Sequence, residues 1–322
     1  MNIVASIAAI CGLAILTAIT AYFGFGSVFQ AVVSSEWGTA LVVVARALAL
    51  CAAGMGWWLL PLPPKCGARI FIALRFLREA INALFPLAVV GGDIIGARLL
   101  TRFGVAGNVA IASVLVDIFV QFVCLLIFVV AGLAVLTDRG GADQLAATTT
   151  IMLAISVPAV IGFFLALNFG AFDPFVKWLV VYGEKRRWAA FGYAADIGAR
   201  LQQLWRNHRG LSSSFLVHLA GVFFGSMEVW IALTFMGHPV SITEAVAIES
   251  LGQGSRAAAF VVPGGLGVQD VTLVAVCAAF GIPAEAALAM ALIKRVPDLV
   301  LGLPTLAVWQ ILEGRRLLSP RK

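Results

Sequence analysis

Apolar residues run along this chain in blocks far longer than a soluble core uses. They occupy about 3–25, 39–60, 109–136, 149–170, 213–236 and 284–312. Each block is long enough to cross a bilayer, which takes roughly 20 residues of helix. Two stretches have a different texture: residues 70–104 and 243–281 are apolar overall but are broken by Pro, Gly and charge. The pattern predicts an all-α polytopic membrane protein with about six transmembrane helices and two further broken helical segments. The chain reads as one membrane domain over 1–322. Its halves lie at about 1–170 and 213–315, joined by a basic, amphipathic linker at 172–212.

Composition agrees with the pattern. Of the residues, 61% are hydrophobic and 12% charged, with mean hydropathy +1.02. Soluble domains hold about 45–50% apolar and about 25% charged residues. This excludes a soluble domain large enough to carry an active site of its own. Met1-Asn2 has no basic lead, and the apolar run from Ile3 to Phe25 is too long for a cleavable signal, so it reads as the first span. The cysteines (Cys11, Cys51, Cys66, Cys124, Cys277) form no CxxC pair and read as small hydrophobes. His208, His218 and His238 are scattered and predict no metal site. No phosphate-loop, zinc-hydrolase or nucleophile-elbow signature stands out. The expectation is no cofactor, no metal and no enzymatic activity.

The net charge of +6 adds direction. In a membrane protein such an excess reports topology and anionic lipid, and nothing here resembles a nucleic-acid motif. Lys and Arg concentrate in 61–78, in 172–212 and in the tail from Arg315, which places all three at the cytoplasm. The loops 26–38 and 137–148 are poor in them and face outward. These sides agree only if 70–104 and 243–281 each enter the membrane and return. The expectation is therefore two re-entrant helical hairpins, entering from opposite sides, with both termini cytoplasmic. Segment 172–210 interleaves Trp178, Trp188 and Trp205 with basic residues, as an interfacial helix on anionic headgroups does.

Sliding the chain on itself by 177 residues aligns Pro86 with Pro263, Asp93 with Asp270, and Phe103-Gly104 with Phe280-Gly281. With three spans between the hairpins, this predicts an inverted repeat, an arrangement used by transporters. The turns PLAVVGGD (86–93) and PGGLGVQD (263–270) each end one helix and start another, and place Asp93 and Asp270 to cap the second arm.

Charge inside a bilayer costs about 2.5–3.5 kcal/mol per residue on insertion scales, so it marks candidate sites or paired groups. Arg75, Arg78, Glu79 and Asn82 share one helical face of the first hairpin's incoming arm; Glu249, Gln253 and Arg256 share one face of the second's. The two stripes would face each other where the hairpins meet. Asp93, Arg98 and Asp270 follow the turns, and Asp117 with Gln121 shares a face of the next span. Arg46 and Glu228 lie inside other spans. Lys294 or Arg295 can pair with Asp298 on the last span. Structural readings stand beside these: Asp93 and Asp270 as caps only, and the ion pairs as locks only.

The order Asn82, Pro86, Gly91-Gly92-Asp93, Arg98, Gly104, then Pro263-Gly264-Gly265-Leu266-Gly267-Val268-Gln269-Asp270, Gly281 and Arg295, resembles the lysylphosphatidylglycerol synthase/flippase transmembrane family. The likeness covers about 3–315. Within that group, LREAINALFPLAVVGGDIIGARLLTRFGV is most similar to stand-alone, hopanoid-biosynthesis-associated membrane proteins. The family usually has Glu where this chain has Asp270, and often an acidic-Arg pair where it has Asp117-Ile118. The expectation is a membrane part without an aminoacylating synthase domain, so lipid handling and not lipid aminoacylation. The resemblance implies a bacterial inner-membrane lipid flippase or lipid-transport protein, handling hopanoid or an anionic lipid. The buried charge, its helical spacing and the turns give the candidate lipid- or substrate-binding set: Arg78, Glu79, Asn82, Asp93, Arg98, Asp117, Glu249, Gln253, Arg256, Asp270 and Arg295. The runner-up reading is a non-transporting accessory that docks a lipid-biosynthetic enzyme through 172–210; an enzyme partner or a homo-oligomer fits either.

Overall fold

Local sequence explains where each helix starts and stops. The computed structural model describes residues 37–62, 66–85, 91–139, 197–258 and 268–318, with isolated helical positions between 147 and 165. Among the described residues there are helices and no strand. The apolar block at 39–60 forms α1 (Trp37–Trp58), which ends ahead of Pro61. The first broken segment forms α2 (Ala68–Leu84) and α3 (Gly91–Thr101), with Pro86 following the end of α2. The long α4 (Gly107–Arg139) follows, then the short amphipathic α5 (Ile197–Arg206) and α6 (His208–Phe235). The Asn207 side chain caps α6 by accepting the Gly210 N–H at 3.0 Å.

The second broken segment forms α7 (Ile242–Ala258) and α8 (Val268–Ala279). A reciprocal capping box opens α7: the Ser241 hydroxyl accepts the Glu244 N–H, and the Glu244 carboxylate accepts the Ser241 N–H at 2.7 Å. The apolar block at 284–312 is not one helix. It divides into α9 (Ala284–Ile293) and α10 (Val296–Leu318), with a turn at Lys294-Arg295. Pro297 has no N–H to continue the helical ladder, and its ring would crowd the carbonyl four residues back.

Three helices are long and apolar enough to span, among the described residues: Trp37–Trp58, Gly107–Asp138 and His208–Phe235. These match three of the expected spans. The span at 3–25, most of 149–170, both turns at 86–90 and 259–267, and most of the linker lie outside the described residues.

The 177-residue displacement carries elements onto elements. The start of α3 at Gly91 lands on the start of α8 at Val268, and the start of α4 at Gly107 on the start of α9 at Ala284. Gly104 and Gly281 also correspond, and both take positive φ, 86° and 75°. That backbone region disfavours a side chain, so Gly at both points ends the hairpin and aims the next helix.

Two apolar cores form, one around each hairpin. The first joins Trp57, Phe71, Leu77 and Leu100 to the early part of α4 at Val116 and Val120. The second joins Ile248, Leu273 and Met290 to the later part of α4 at Val129 and Leu136. α4 thus runs through both. α1 packs along α6, α7 lies on α4, and α10 lies on α2. The apolar face of α5, at Ile197, Leu201 and Leu204, is buried in the first core. Trp205 stacks edge-on against Phe119 at 5.1 Å. That face of α5 is therefore occupied by protein, while Arg206 and Arg209 stay exposed.

Candidate functional site

The polar stripes of α2 and α7 do face each other. Arg75, Arg78, Glu79 and Asn82 line one side of a cavity of about 460 Å³; Glu249, Gln253 and Arg256 line the other. Asp93 and Gln121 also reach it. The helical spacing that put each set on one face is the cause: a stripe that cannot enter the apolar cores must meet another polar surface.

On the α2 side the centre is Arg78, which is 1% exposed. Its Nε donates to Asp93 Oδ1 at 2.8 Å and its Nη1 to Asp117 Oδ2 at 2.7 Å. The guanidinium lies over the Trp57 ring, 4.7 Å from the centroid, and the Trp57 indole N–H donates to Ser113 at 3.1 Å. Asp117 is fully buried; its second oxygen meets His218 Nε2 at 3.0 Å, and Gln121 Nε2 donates to Oδ2 at 2.8 Å. Close helix approach makes this possible. A Cβ on Gly92 would lie 2.3 Å from the Arg78 carbonyl oxygen, and one on Gly96 2.8 Å from Arg78 Cδ.

Asp93, in the first turn of α3, serves side chains among the described residues. Its carboxylate goes to Arg78 and Asn82, while the Asn82 side-chain oxygen accepts the Gly92 N–H at 2.9 Å. The reason is competition: a buried guanidinium needs two acceptors, and an amide can serve the backbone at lower cost. Asp270 likewise goes to a cation, with Arg295 Nη2 2.8 Å from both of its oxygens.

On the α7 side, Lys294 Nζ contacts Glu249 and lies 3.7 Å from Glu228. Gln253 donates to Glu249 at 2.9 Å. Arg46 lies 3.6 Å from Glu228 and 3.2 Å from Asp298. The pairing of Lys294 or Arg295 with Asp298, expected from spacing, therefore does not form: the break before Pro297 turns these side chains toward different helices. Lys294 also stands 177 residues after Asp117. The two halves carry the same kind of ion pair with its polarity exchanged, Arg78 on α2 with Asp117 and Glu249 on α7 with Lys294.

Three expected residues lie away from the cavity. Arg98 donates to Glu313 at 3.0 Å, alongside Arg102, at the far end of α10. Asp270 and Arg295 hold α8 to the start of α10. Sequence reasoning passed over His218, a lone histidine in an apolar run. A signal was present: His218, Gly221, Gly225 and Glu228 recur at helical spacing along α6, and the first three line the cavity. It also left Arg46, Glu228 and Lys294 out of the candidate set. Among the described residues no group of His, Cys, Asp and Glu is arranged to hold a metal ion. Cys51, Cys66, Cys124 and Cys277 are free thiols.

A polar cavity walled by α2 and α7, inside an apolar bundle, coincides with a match to the lysylphosphatidylglycerol synthase TM region over residues 3–304. The chain belongs to that family. The matched range takes in both hairpins and every cavity residue named above. No match was found among curated proteins or solved structures. Membership and apolar helices together make this a membrane protein with a lipid-related role.

Proposed function

We propose that this protein moves a lipid between the leaflets of a bacterial inner membrane, the head group passing through the cavity between α2 and α7. The observation that carries this reading is Arg256. It lines the cavity, and among the described residues it makes no direct ion pair or hydrogen bond; Glu79, whose charge it feels, is already paired with Arg75. Every other guanidinium in the cavity wall has a carboxylate: Arg46, Arg75 and Arg78. A cation kept unpaired inside an apolar bundle is costly, and a ligand anion balances it. A guanidinium suits phosphate in particular, offering two parallel donors. The volume fits a head group, with the acyl chains left in the bilayer.

In this reading the hairpins are re-entrant, the halves are inverted, and both termini face the cytoplasm. The exchanged polarity of the two ion pairs gives each half its own lock, so one can open while the other holds. The lipid is moved, not chemically altered. An anionic phospholipid or a hopanoid-linked lipid fits the phosphate-matched cation, and exposed Arg206 and Arg209 suit anionic headgroups beside the bundle. Relative to the sequence-based set, Arg78 is saturated and structural, Arg98 is outside, and Arg256 is the ligand cation.

The test is flipping of a fluorescent anionic phospholipid in proteoliposomes. Arg256→Gln should lose flipping and Arg98→Gln should keep it. Unimpaired flipping by folded Arg256→Gln refutes the assignment. If Arg256 is dispensable in cells but the 172–210 segment is not, the enzyme-docking reading replaces transport.

A further inference from the structure

Beyond the cavity wall, at the junction of α1, α6, α7 and α10, charged groups are unequally satisfied. Three carboxylates, Glu228, Glu249 and Asp298, surround two cations, Arg46 and Lys294. Glu228 is 0% exposed and Glu249 2%. The carboxylates are also unequal. Glu249 takes Lys294 and the Gln253 amide, and Asp298 accepts from Arg46 at 3.2 Å. Glu228 has both oxygens buried with no hydrogen-bond donor among the described residues, and its cations stand off at 3.6 and 3.7 Å. A buried carboxylate without a donor carries the full cost of lost solvation.

What Glu228 lacks is a group that satisfies its oxygens directly, and that group must fit beside it. Arg46 and Lys294 already occupy the two approaches where a metal ion would sit. A proton needs no coordination space and joins a carboxylate oxygen directly. We propose that Glu228 is a proton-binding site, taking up one proton from the head-group cavity.

The cavity supplies access, because Arg46 and Glu249 line it and Gly225 brings α6 close to Glu249: a Cβ there would lie 3.2 Å from Glu249 Oε1. The proton adds to a Glu228 oxygen as an O–H, with no other bond made or broken. Its arrival removes the charge that holds Arg46 on α1 and Lys294 at the α9–α10 turn toward α6. The groups facing Glu228 from these elements are Arg46, Lys294, Glu249 and Asp298; farther along α6, His218 faces Asp117. The coupling role rests on the proposed lipid movement, while the proton site rests on the cluster alone.

Infrared difference spectra of the full-length protein in nanodiscs test it, with pH stepped from alkaline to mildly acidic. One protonated-carboxyl band should grow in wild type, shift on 13C-glutamate labelling, and be lost in Glu228→Gln. The labelling result needs no variant, so a misfolded Glu228→Gln does not rescue the idea. A band that ignores the glutamate label, persists in folded Glu228→Gln, or is abolished by sodium at constant pH overturns the site. Flipping in proteoliposomes separates the two claims. A glutamate band without flipping keeps the proton site and removes the transport reading; flipping without the band does the reverse.

Discussion

Replacing Arg78 by Met should be among the most damaging single changes in the protein. The substitution keeps an unbranched stem but removes the guanidinium and its charge. Asp93 and Asp117 would then lose donors at 2.8 and 2.7 Å, and Asp117 has no exposure through which water could replace them. Removing one partner of a buried ion pair costs about 3–5 kcal/mol. Loss of the stacking on Trp57 adds roughly 1 kcal/mol. The expected loss is therefore about 4–6 kcal/mol, read as the shift in equilibrium unfolding when SDS is titrated into protein in mild detergent. The same reasoning predicts that Asp117→Asn added to Arg78→Met recovers at least about 1 kcal/mol, because one stranded buried charge has gone. A cost for Arg78→Met below about 1 kcal/mol, or strict additivity in the double variant, would refute the view of Arg78 as a saturated structural centre.

Three other outcomes follow from particular contacts. Gly92→Ala should cost more than Gly96→Ala, with overpacking of about 1–3 kcal/mol, because the first Cβ meets the Arg78 backbone carbonyl and the second only its flexible side chain; the same SDS titration ranks them, and the opposite order removes the close-approach argument. Gly104→Ala and Gly281→Ala should each destabilise by about 1 kcal/mol through positive φ alone; thermal unfolding in detergent measures this, and a neutral pair means the turns relax. Glu313→Gln should change stability by no more than about 1 kcal/mol despite pairing with Arg98 and Arg102, since these side chains are 23–28% exposed and screened; a larger loss would mean that the pair is buried by lipid.

How much of this was legible beforehand depends on the range of the interaction that decides it. Hydropathy and Pro/Gly placement act within a few residues of the chain. They were enough to predict α1, α4 and α6 and to find the breaks after α2 and α7. The helical period then put Arg75, Arg78, Glu79 and Asn82 on one face and Glu249, Gln253 and Arg256 on another, because a face depends only on spacing. The 177-residue displacement predicted corresponding hairpins, and Gly104 and Gly281 share a backbone state because both must turn with positive φ.

Partners were another matter. Which anion meets Arg78, and which cation meets Glu249, depends on helices far apart in sequence: Asp117 is 39 residues from Arg78, and Lys294 is 45 from Glu249. Spacing alone favoured the local pair of Lys294 with Asp298. The break before Pro297 overrode it, because burial rewards a charge for reaching whichever counter-charge the packed helices bring closest. The same holds for His218, whose partner Asp117 lies 101 residues away and comes to 3.0 Å only when α4 packs against α6. The chain alone determined that buried polar stripes exist and must meet something polar. Only the packing of α2, α4, α6 and α7 decided what they meet, which charges are satisfied there, and that Glu228 is held by cations at a distance with no hydrogen-bond donor.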